Sequence, residues 1–168
     1  MPPLPRVPWK AIMYKNAARP KARFTTWLLM LGRMTTSDRL VKWGVQVDPE
    51  CGLCHQHAES KEHLYVHCEY TRNIWSKMEH WMGLLPCTFA TWEQHITWMI
   101  ANSKGNSQRA EAFRMIYSET VYGIWMERNG RIFEKRSREW NIVVKEIAYV
   151  TCVRAPTRIS PLVLSFKF

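Results

Sequence analysis

The stretch from Cys51 to Cys68 decides this fold, and it reads Cys-Gly-Leu-Cys-His-Gln-His-Ala-Glu-Ser-Lys-Glu-His-Leu-Tyr-Val-His-Cys. It holds three of the five cysteines and four of the six histidines of the chain. Read as C-x2-C-x8-H-x4-C, it offers three thiolates and one imidazole, which is a complete tetrahedral ligand set for a structural zinc ion. We therefore predict that one structural Zn²⁺ is held by Cys51, Cys54, His63 and Cys68.

Other histidines of this stretch compete for the metal. His55 and His57 are alternatives to His63, and His67 is an alternative to Cys68 because it lies one helical turn beyond His63. We favour the set with three thiolates, because structural zinc sites prefer such sets and leave no position open for water.

The second ligand pair predicts an irregular helix. Residues 62–70 have a helical pattern, and His63 and Cys68 are five residues apart within it. Five residues of an α-helix rotate the side-chain direction by about 140° beyond a full turn, so a regular helix would not direct both side chains to one ion. We expect a distorted or broken turn near Val66.

Length and composition allow one domain of ordinary size. The chain has 168 residues, of which 46% are apolar, and a packed core is therefore possible. The first residues, Met-Pro-Pro-Leu-Pro, lack the apolar segment of a signal peptide, and no apolar run approaches the length of a membrane span. Cysteines at zinc spacing favour a reducing compartment. We expect an intracellular protein of the nucleus or cytoplasm that is not secreted and has no membrane partner.

The net charge of +10 is distributed unevenly. Residues 1–44 carry nine basic groups against one acidic group, whereas residues 45–83, which include the zinc stretch, carry three against six. Because clustered cations attract phosphate, the basic flanks are the candidate surface for RNA or DNA, bound without sequence preference. The candidate phosphate-binding residues are Arg19, Lys21, Arg23, Arg33, Arg39, Lys42, Arg128, Arg131, Arg136 and Arg138.

Helical spacing of apolar residues dominates the chain, and strand signals are few. The pattern predicts a mostly α fold in which a small zinc-binding module packs among short amphipathic helices. Composition divides the chain into a disordered N-terminus at 1–8, a zinc-binding domain at 9–101, a linker at 102–107, a helical hairpin at 108–153 and a C-terminal tail at 154–168.

Three local patterns make specific predictions. Thr91 and Gln94 form a capping box at the start of a helix. The longest helical pattern covers residues 109–129, and Gly130 is expected to end it. Residues 22–33 form a helix with one apolar face, which we expect to be buried rather than used for base stacking, and which consists of Phe24, Trp27, Leu28 and Leu31.

The whole pattern resembles the zinc-binding domain of reverse transcriptases from plant LINE-type, non-LTR retrotransposons and related cellular proteins. The residues that carry the resemblance are Pro20-Lys21, Phe24, Trp27, Thr36, Asp38-Arg39-Leu40, Trp43-Gly44, Cys51-Gly-Leu-Cys54, Glu59-Ser60, His63-Leu64-Tyr65, Cys68 and Trp75. A later segment, Trp125-x-x-Arg128-Asn129-x-x-Ile132-Phe133, resembles one found downstream in many such plant proteins.

The resemblance implies a zinc-binding module that helps to hold template nucleic acid, with ligand roles for Cys51, Cys54 and Cys68 and for His63 rather than the other histidines. The chain has only two aspartates and no Tyr-x-Asp-Asp motif, so we expect a non-catalytic fragment without a polymerase core. The alternative is a zinc-stabilised protein-interaction domain of a domesticated or decaying transposon remnant.

Overall fold

The structure is a computed structural model that describes residues 7–168. Most of the prediction for residues 1–8 therefore lies outside the described residues. The fold is mostly α, as predicted, and over the described range extended pairing is limited to one antiparallel bridge between Glu50 and Ala58. The helices are α1 (Lys10–Met13), α2 (Pro20–Met30), α3 (Ser37–Lys42), a π-helical turn (His63–His67), α4 (Glu69–Trp81), α5 (Trp92–Ser103), α6 (Gln108–Phe133), α7 (Trp140–Arg154) and α8 (Ser160–Ser165).

Helix α6 is the central element of the fold. It packs against α2, α4, α5, α7 and α8, and its residues 112–121 are all buried. The helix is therefore buried on most sides, and its buried positions include charged residues such as Arg114 and Glu119 as well as apolar ones. The hydroxyl of Ser107 caps its first turn by accepting a hydrogen bond from the backbone N–H of Ala110 at 3.1 Å.

The prediction that Gly130 ends this helix is wrong. Helix α6 continues to Phe133, and the carbonyl of Gly130 accepts a bond from the N–H of Glu134 at 3.0 Å. The glycine has a packing role instead, since a Cβ atom at this position would lie 3.3 Å from the guanidinium of Arg136. By contrast, the predicted cap of α5 is confirmed, because the Thr91 hydroxyl accepts from the N–H of Gln94 at 3.2 Å.

One core runs through the chain on both sides of the predicted linker. Buried apolar residues from Ile12 to Val163 belong to a single cluster. Helix α5 includes Ser103, so the connecting loop is only residues 104–107. The C-terminal residues do not trail away, because α8 buries Val163 and the ring of Phe166 lies 5.8 Å from that of Trp81.

Most of the apolar face predicted for α2 points to solvent, although Leu28 is half-buried and packs against the core. Phe24 is 57% exposed, Trp27 38% and Leu31 37%. The buried face of α2 consists instead of Leu29 and three smaller residues, namely Ala22, Thr25 and Thr26. Small side chains let α2 approach α6 closely, and the threonine hydroxyls are satisfied by the carbonyls four residues before them.

Polar contacts fix the segment directly before α2 against α6. The amide of Asn16 donates to the carbonyl of Arg114 at 3.0 Å and to the hydroxyl of Ser118 at 2.9 Å. Arg19 donates through its guanidinium to Glu119 at 2.7 Å. The sequence shows an apolar period in α2, but these partners decide which side of the helix meets the core.

A cluster of aromatic rings fills the space between α4, α5 and α6. The ring of Trp75 lies 5.1 Å from that of Tyr117, and the ring of Trp98 lies 5.2 Å from that of Phe113. His95 is buried among them and bonds to the Tyr117 hydroxyl at 2.9 Å. Burial lowers the pKa of His95 to about 3, so the imidazole is neutral and acts as a core residue.

No helix of the described range is long and apolar enough to cross a membrane.

Candidate metal centre and basic surface

The first ligand pair lies on a tight loop that the backbone holds in place. The N–H of Cys51 donates to the carbonyl of His57 at 2.8 Å, and the N–H of Glu59 donates to the carbonyl of Pro49 at 2.8 Å. Backbone hydrogen bonds from Leu53 and Cys54 reach the sulfur of Cys51. Donors directed at a sulfur favour its thiolate form, which is the form that binds a metal ion.

The second ligand pair lies on the π-helical turn His63–His67. In this turn the backbone bonds join residues five apart, as in the bond from the N–H of Cys68 to the carbonyl of His63 at 2.7 Å. Cys68 itself has an extended conformation and separates this turn from α4. A π turn brings residues five apart toward the same side, so the predicted irregularity near Val66 is confirmed and has a clear geometric purpose.

The four predicted ligands come together in space. One donor atom from each of Cys51, Cys54, His63 and Cys68 lies within 4.8 Å of all the others. The sulfurs of Cys51 and Cys68 are 3.9 Å apart, and the sulfur of Cys54 is 3.3 Å from Nε2 of His63. Tetrahedral zinc with Zn–S bonds of about 2.3 Å places two sulfurs about 3.8 Å apart. The donor set and its spacing therefore fit one zinc ion.

The competing histidines lie outside this set of donors. Nε2 of His67 bonds to the carbonyl of Ala90 at 2.9 Å, and His55 and His57 are exposed on the loop. Burial lowers the pKa of His63, with smaller contributions from His57 and His67, and this keeps the imidazole neutral as a zinc ligand requires.

The two buried thiols form a coupled pair. The hydrogen bond with Cys68, followed by burial, raises the pKa of Cys51. The same bond lowers the pKa of Cys68, and the backbone N–H of Thr71 acts in the same direction. Metal binding to this pair requires both thiols to lose their protons.

The zinc segment, residues 51–68, is tied to the core by aromatic residues of the π turn and of α4. The hydroxyl of Tyr65 donates to the carbonyl of Val121 at 3.4 Å, and the indole N–H of Trp75 donates to the carbonyl of Tyr65 at 3.1 Å. Leu64 and Tyr65 are fully buried. The zinc ligands and the main core are therefore parts of one packed structure.

A buried ion pair makes a second connection, which sequence reasoning missed. The guanidinium of Arg128 donates to both carboxylate oxygens of Glu59, at 2.6 and 3.0 Å, and both side chains are at least 97% buried. The same carboxylate accepts from the backbone N–H of Ser37 at 2.8 Å. Glu59 thus joins the zinc loop, the start of α3 and the end of α6. In the sequence, the two partners lie in the Glu59-Ser60 and Trp125-x-x-Arg128 segments, which are among those that carry the family resemblance.

Residues 2–75 match a family model described as zinc-binding in reverse transcriptase. The match includes all four ligands and ends at Trp75 in α4. Residues 2–75 are therefore a reverse transcriptase zinc-binding domain, and the cluster of Cys51, Cys54, His63 and Cys68 fits its one structural zinc ion. No curated protein and no solved structure was found to match the chain.

The structure divides the ten predicted phosphate-binding residues into two groups. The first group forms ion pairs with buried carboxylates: Arg19 with Glu119, Arg128 with Glu59, and Arg131 and Arg138 with Glu127. Arg128 is 2% exposed and has no access to a ligand. These four side chains are therefore occupied by contacts within the fold.

The second group is more accessible. Lys21, Arg23, Arg33 and Lys42 are exposed, and within residues 7–168 they form no ion pair. Arg39 lies over the ring of Trp43 at 4.7 Å and donates to backbone carbonyls of the loop after α2. Arg136 is half exposed beside Glu134. Five of these six residues lie on α2, on α3 or in the loop between them.

Proposed function

We propose that this protein is a non-catalytic, zinc-stabilised module that binds RNA or DNA without sequence preference. The observation that carries the proposal is the charge of α2 and α3. The first acidic residue of the chain is Asp38, and four cations of this region are exposed and have no carboxylate partner in the described part of the chain. Unpaired cations on one surface attract the phosphate backbone and do not read bases.

The zinc supports this surface from within the fold. The zinc segment is acidic, and it is joined to the start of α3 by the hydrogen bond from the backbone N–H of Ser37 to the Glu59 carboxylate. Its four protein ligands leave no coordination position for a substrate or a water molecule, which is typical of structural zinc. This arrangement supports a role in folding and a function without catalysis. A site of three thiolates also suits a reducing compartment, and we place the protein in the nucleus or cytoplasm.

The salt dependence of binding tests the proposal. We expect the affinity for a mixed-sequence RNA or DNA to fall steeply with salt, with a slope of about −0.7 to −0.9 per phosphate contact. Lys21→Ala/Arg23→Ala should weaken binding to all sequences and reduce the slope by about 1 to 2. Lys145→Ala/Arg154→Ala, which removes two exposed cations of α7, is the matched control and should have a smaller effect. A flat salt response, or no binding at micromolar protein, would contradict the proposal.

A second candidate function is protein interaction through an apolar groove beside the zinc loop. The groove has a volume of about 630 Å³ and lies between α3, the loop 45–55 and the end of α6. Phe133 at its edge is 73% exposed and Ile132 is 40% exposed. This function predicts a defined protein partner that survives nuclease treatment in a pull-down, and Phe133→Ser should abolish the capture.

We also infer an origin in a plant LINE-type retrotransposon. The family match supports the reverse transcriptase part of this inference, and the Trp125-x-x-Arg128-Asn129 segment supports the plant LINE part. Reverse transcriptase coding sequence directly upstream in the genome would support it, and an unrelated upstream gene would count against it.

A further inference from the structure

The exposed face of α2 carries both aromatic rings and cations. Phe24, Trp27 and Leu31 are spaced at i, i+3 and i+7 and lie on the solvent side of the helix. The rings of Phe24 and Trp27 are 5.9 Å apart. Apolar rings on the surface of a protein with a well-filled core indicate a site for a partner, because each exposed ring costs free energy of hydration.

Cations lie directly beside these rings. Arg23 is four residues before Trp27 and Lys21 is three residues before Phe24, so each cation shares a side of the helix with a ring. Both cations are exposed, and they form no ion pair in the described part of the chain. Arg23, Phe24 and Trp27 line one shallow depression together with Met13 and Pro20. Helix α2 has no acidic residue.

A second ring of the same kind lies beyond the end of α2. Trp43 is 57% exposed, one face of its indole is covered by the guanidinium of Arg39 at 4.7 Å, and Lys42 is adjacent. Arg39 also donates to the carbonyl of Gly32 in the loop after α2, which links α3 to the end of α2. An exposed ring with a cation beside it is therefore present at the end of α3 as well.

We propose that the α2 face, defined as Lys21, Arg23, Phe24 and Trp27, binds single-stranded nucleic acid by stacking unpaired bases on Phe24 and Trp27. This inference rests on the proposed nucleic-acid function and adds its substrate class. Rings recognise the flat faces of bases, which are free in a single strand and hidden by stacking in a duplex. Cations alone would bind both forms. Helix α2 carries exposed cations and no acidic residue, so its charge complements the phosphates of a polyanion.

An oligonucleotide without bases provides the sharpest test. Wild-type protein is titrated with a fluorescent oligo(dT) 20-mer, an abasic 20-mer of equal charge, and a 20-base-pair duplex. Stacking of two bases strengthens binding by about 25-fold or more, taking about fivefold per base as the lower value. We expect at least this preference for oligo(dT) over the abasic strand.

The variants assign the preference to the α2 face. Phe24→Ala/Trp27→Ala should bind the oligo(dT) and abasic strands equally. Lys21→Ala/Arg23→Ala should weaken both by the same factor. Tyr149→Ala, which removes a ring that is 68% exposed on α7, should retain the preference. Because both rings of the α2 face are exposed, the double variant should keep its zinc and its melting temperature, and these are measured as controls.

Three results would overturn the inference. Equal, salt-dependent affinity of the wild type for oligo(dT) and the abasic strand would leave the proposed function standing without base stacking. No binding to any of the three probes would contradict the proposed function as well. A wild-type dimer in light scattering that becomes monomeric in Phe24→Ala/Trp27→Ala would show that the rings cover a second copy of the chain.

Discussion

The zinc segment and the α2 face use arginine and aromatic residues in opposite ways. At the zinc segment, Arg128 is enclosed with Glu59 and Tyr65 is fully buried. On α2, Arg23 has no carboxylate partner in the described chain, and Trp27 remains partly exposed. The first region is held by its own contacts, whereas the second has groups that lack partners. We infer that stability comes mainly from the first region and binding from the second.

Removal of a zinc ligand should have the largest effect. Zinc binding to small structural sites contributes on the order of 10 kcal/mol to folding, so Cys68→Ser should unfold residues 37–75 at least. Loss of zinc and of helical circular dichroism would be measured together. The matched control is Cys152→Ser, a half-buried cysteine of α7 outside the cluster, which should keep its zinc. A folded, zinc-free Cys68→Ser protein would show that the metal does not hold the fold.

Removal of the buried arginine should have the next largest effect. Arg128→Met leaves the Glu59 carboxylate buried without its cation, and such a loss costs about 3–5 kcal/mol. Urea unfolding in excess zinc measures the change in free energy. Glu59→Met/Arg128→Met should regain much of the loss, because no unpaired charge remains. Arg136→Met, at a half-exposed arginine, is the control and should be close to neutral. If Arg128→Met and Glu59→Met/Arg128→Met were equally stable, the loss in Arg128→Met would not come from an unpaired Glu59 carboxylate, which would argue against a stabilising ion pair.

Glu79 is a buried carboxylate like Glu59, but it has no cation beside it. Burial raises the pKa of Glu79 to about 7, and its Oε1 atom lacks a hydrogen-bond partner in the described structure. In the unfolded chain the carboxyl loses its proton near its ordinary pKa, so the folded state binds more protons between that value and pH 7. The free energy of unfolding therefore falls as pH rises through this range.

Glu79→Gln should remove this pH dependence. The wild type should lose about 1–3 kcal/mol more than the variant between pH 5 and pH 8, and the part between pH 6 and pH 8 can be measured with zinc bound. Glu139→Gln, at an exposed glutamate, should follow the wild type. Parallel stability curves for wild type and Glu79→Gln would contradict the assignment.

The smallest effect on stability is expected on the α2 face. Lys21→Ala/Arg23→Ala changes exposed side chains without ion-pair partners in the described chain, so the free energy of unfolding should change by less than about 0.5 kcal/mol. Nucleic-acid affinity of the same preparation should nevertheless fall. A large loss of stability would show that these residues belong to the fold and not to a surface for ligands.

The sequence predicted the metal site better than it predicted the surfaces. The ligand spacing and the five-residue interval from His63 to Cys68 are local, and local geometry predicted the irregular turn that the structure contains. The face of α2 depends on what packs against it. Periodicity identified the stripe at Phe24 and Trp27, but the small residues around Ala22 meet α6.

The basic residues were the least predictable part of the site. Arg128 and Glu59 are 69 residues apart in sequence, so nothing local indicates that they pair. The same holds for Arg19 and Glu119, which are 100 residues apart. Composition counts these cations with the exposed ones, and only the fold separates them.

The zinc content of the histidine variants tests the central claim most directly. Purified wild-type protein, freed of adventitious metal, should contain one zinc per chain by mass spectrometry under native conditions. His63→Ala should lose that zinc, whereas His67→Ala and His57→Ala should retain it, because only His63 directs a ring nitrogen at Cys54. Less than half a zinc per wild-type chain, or full zinc content in His63→Ala, would contradict the account.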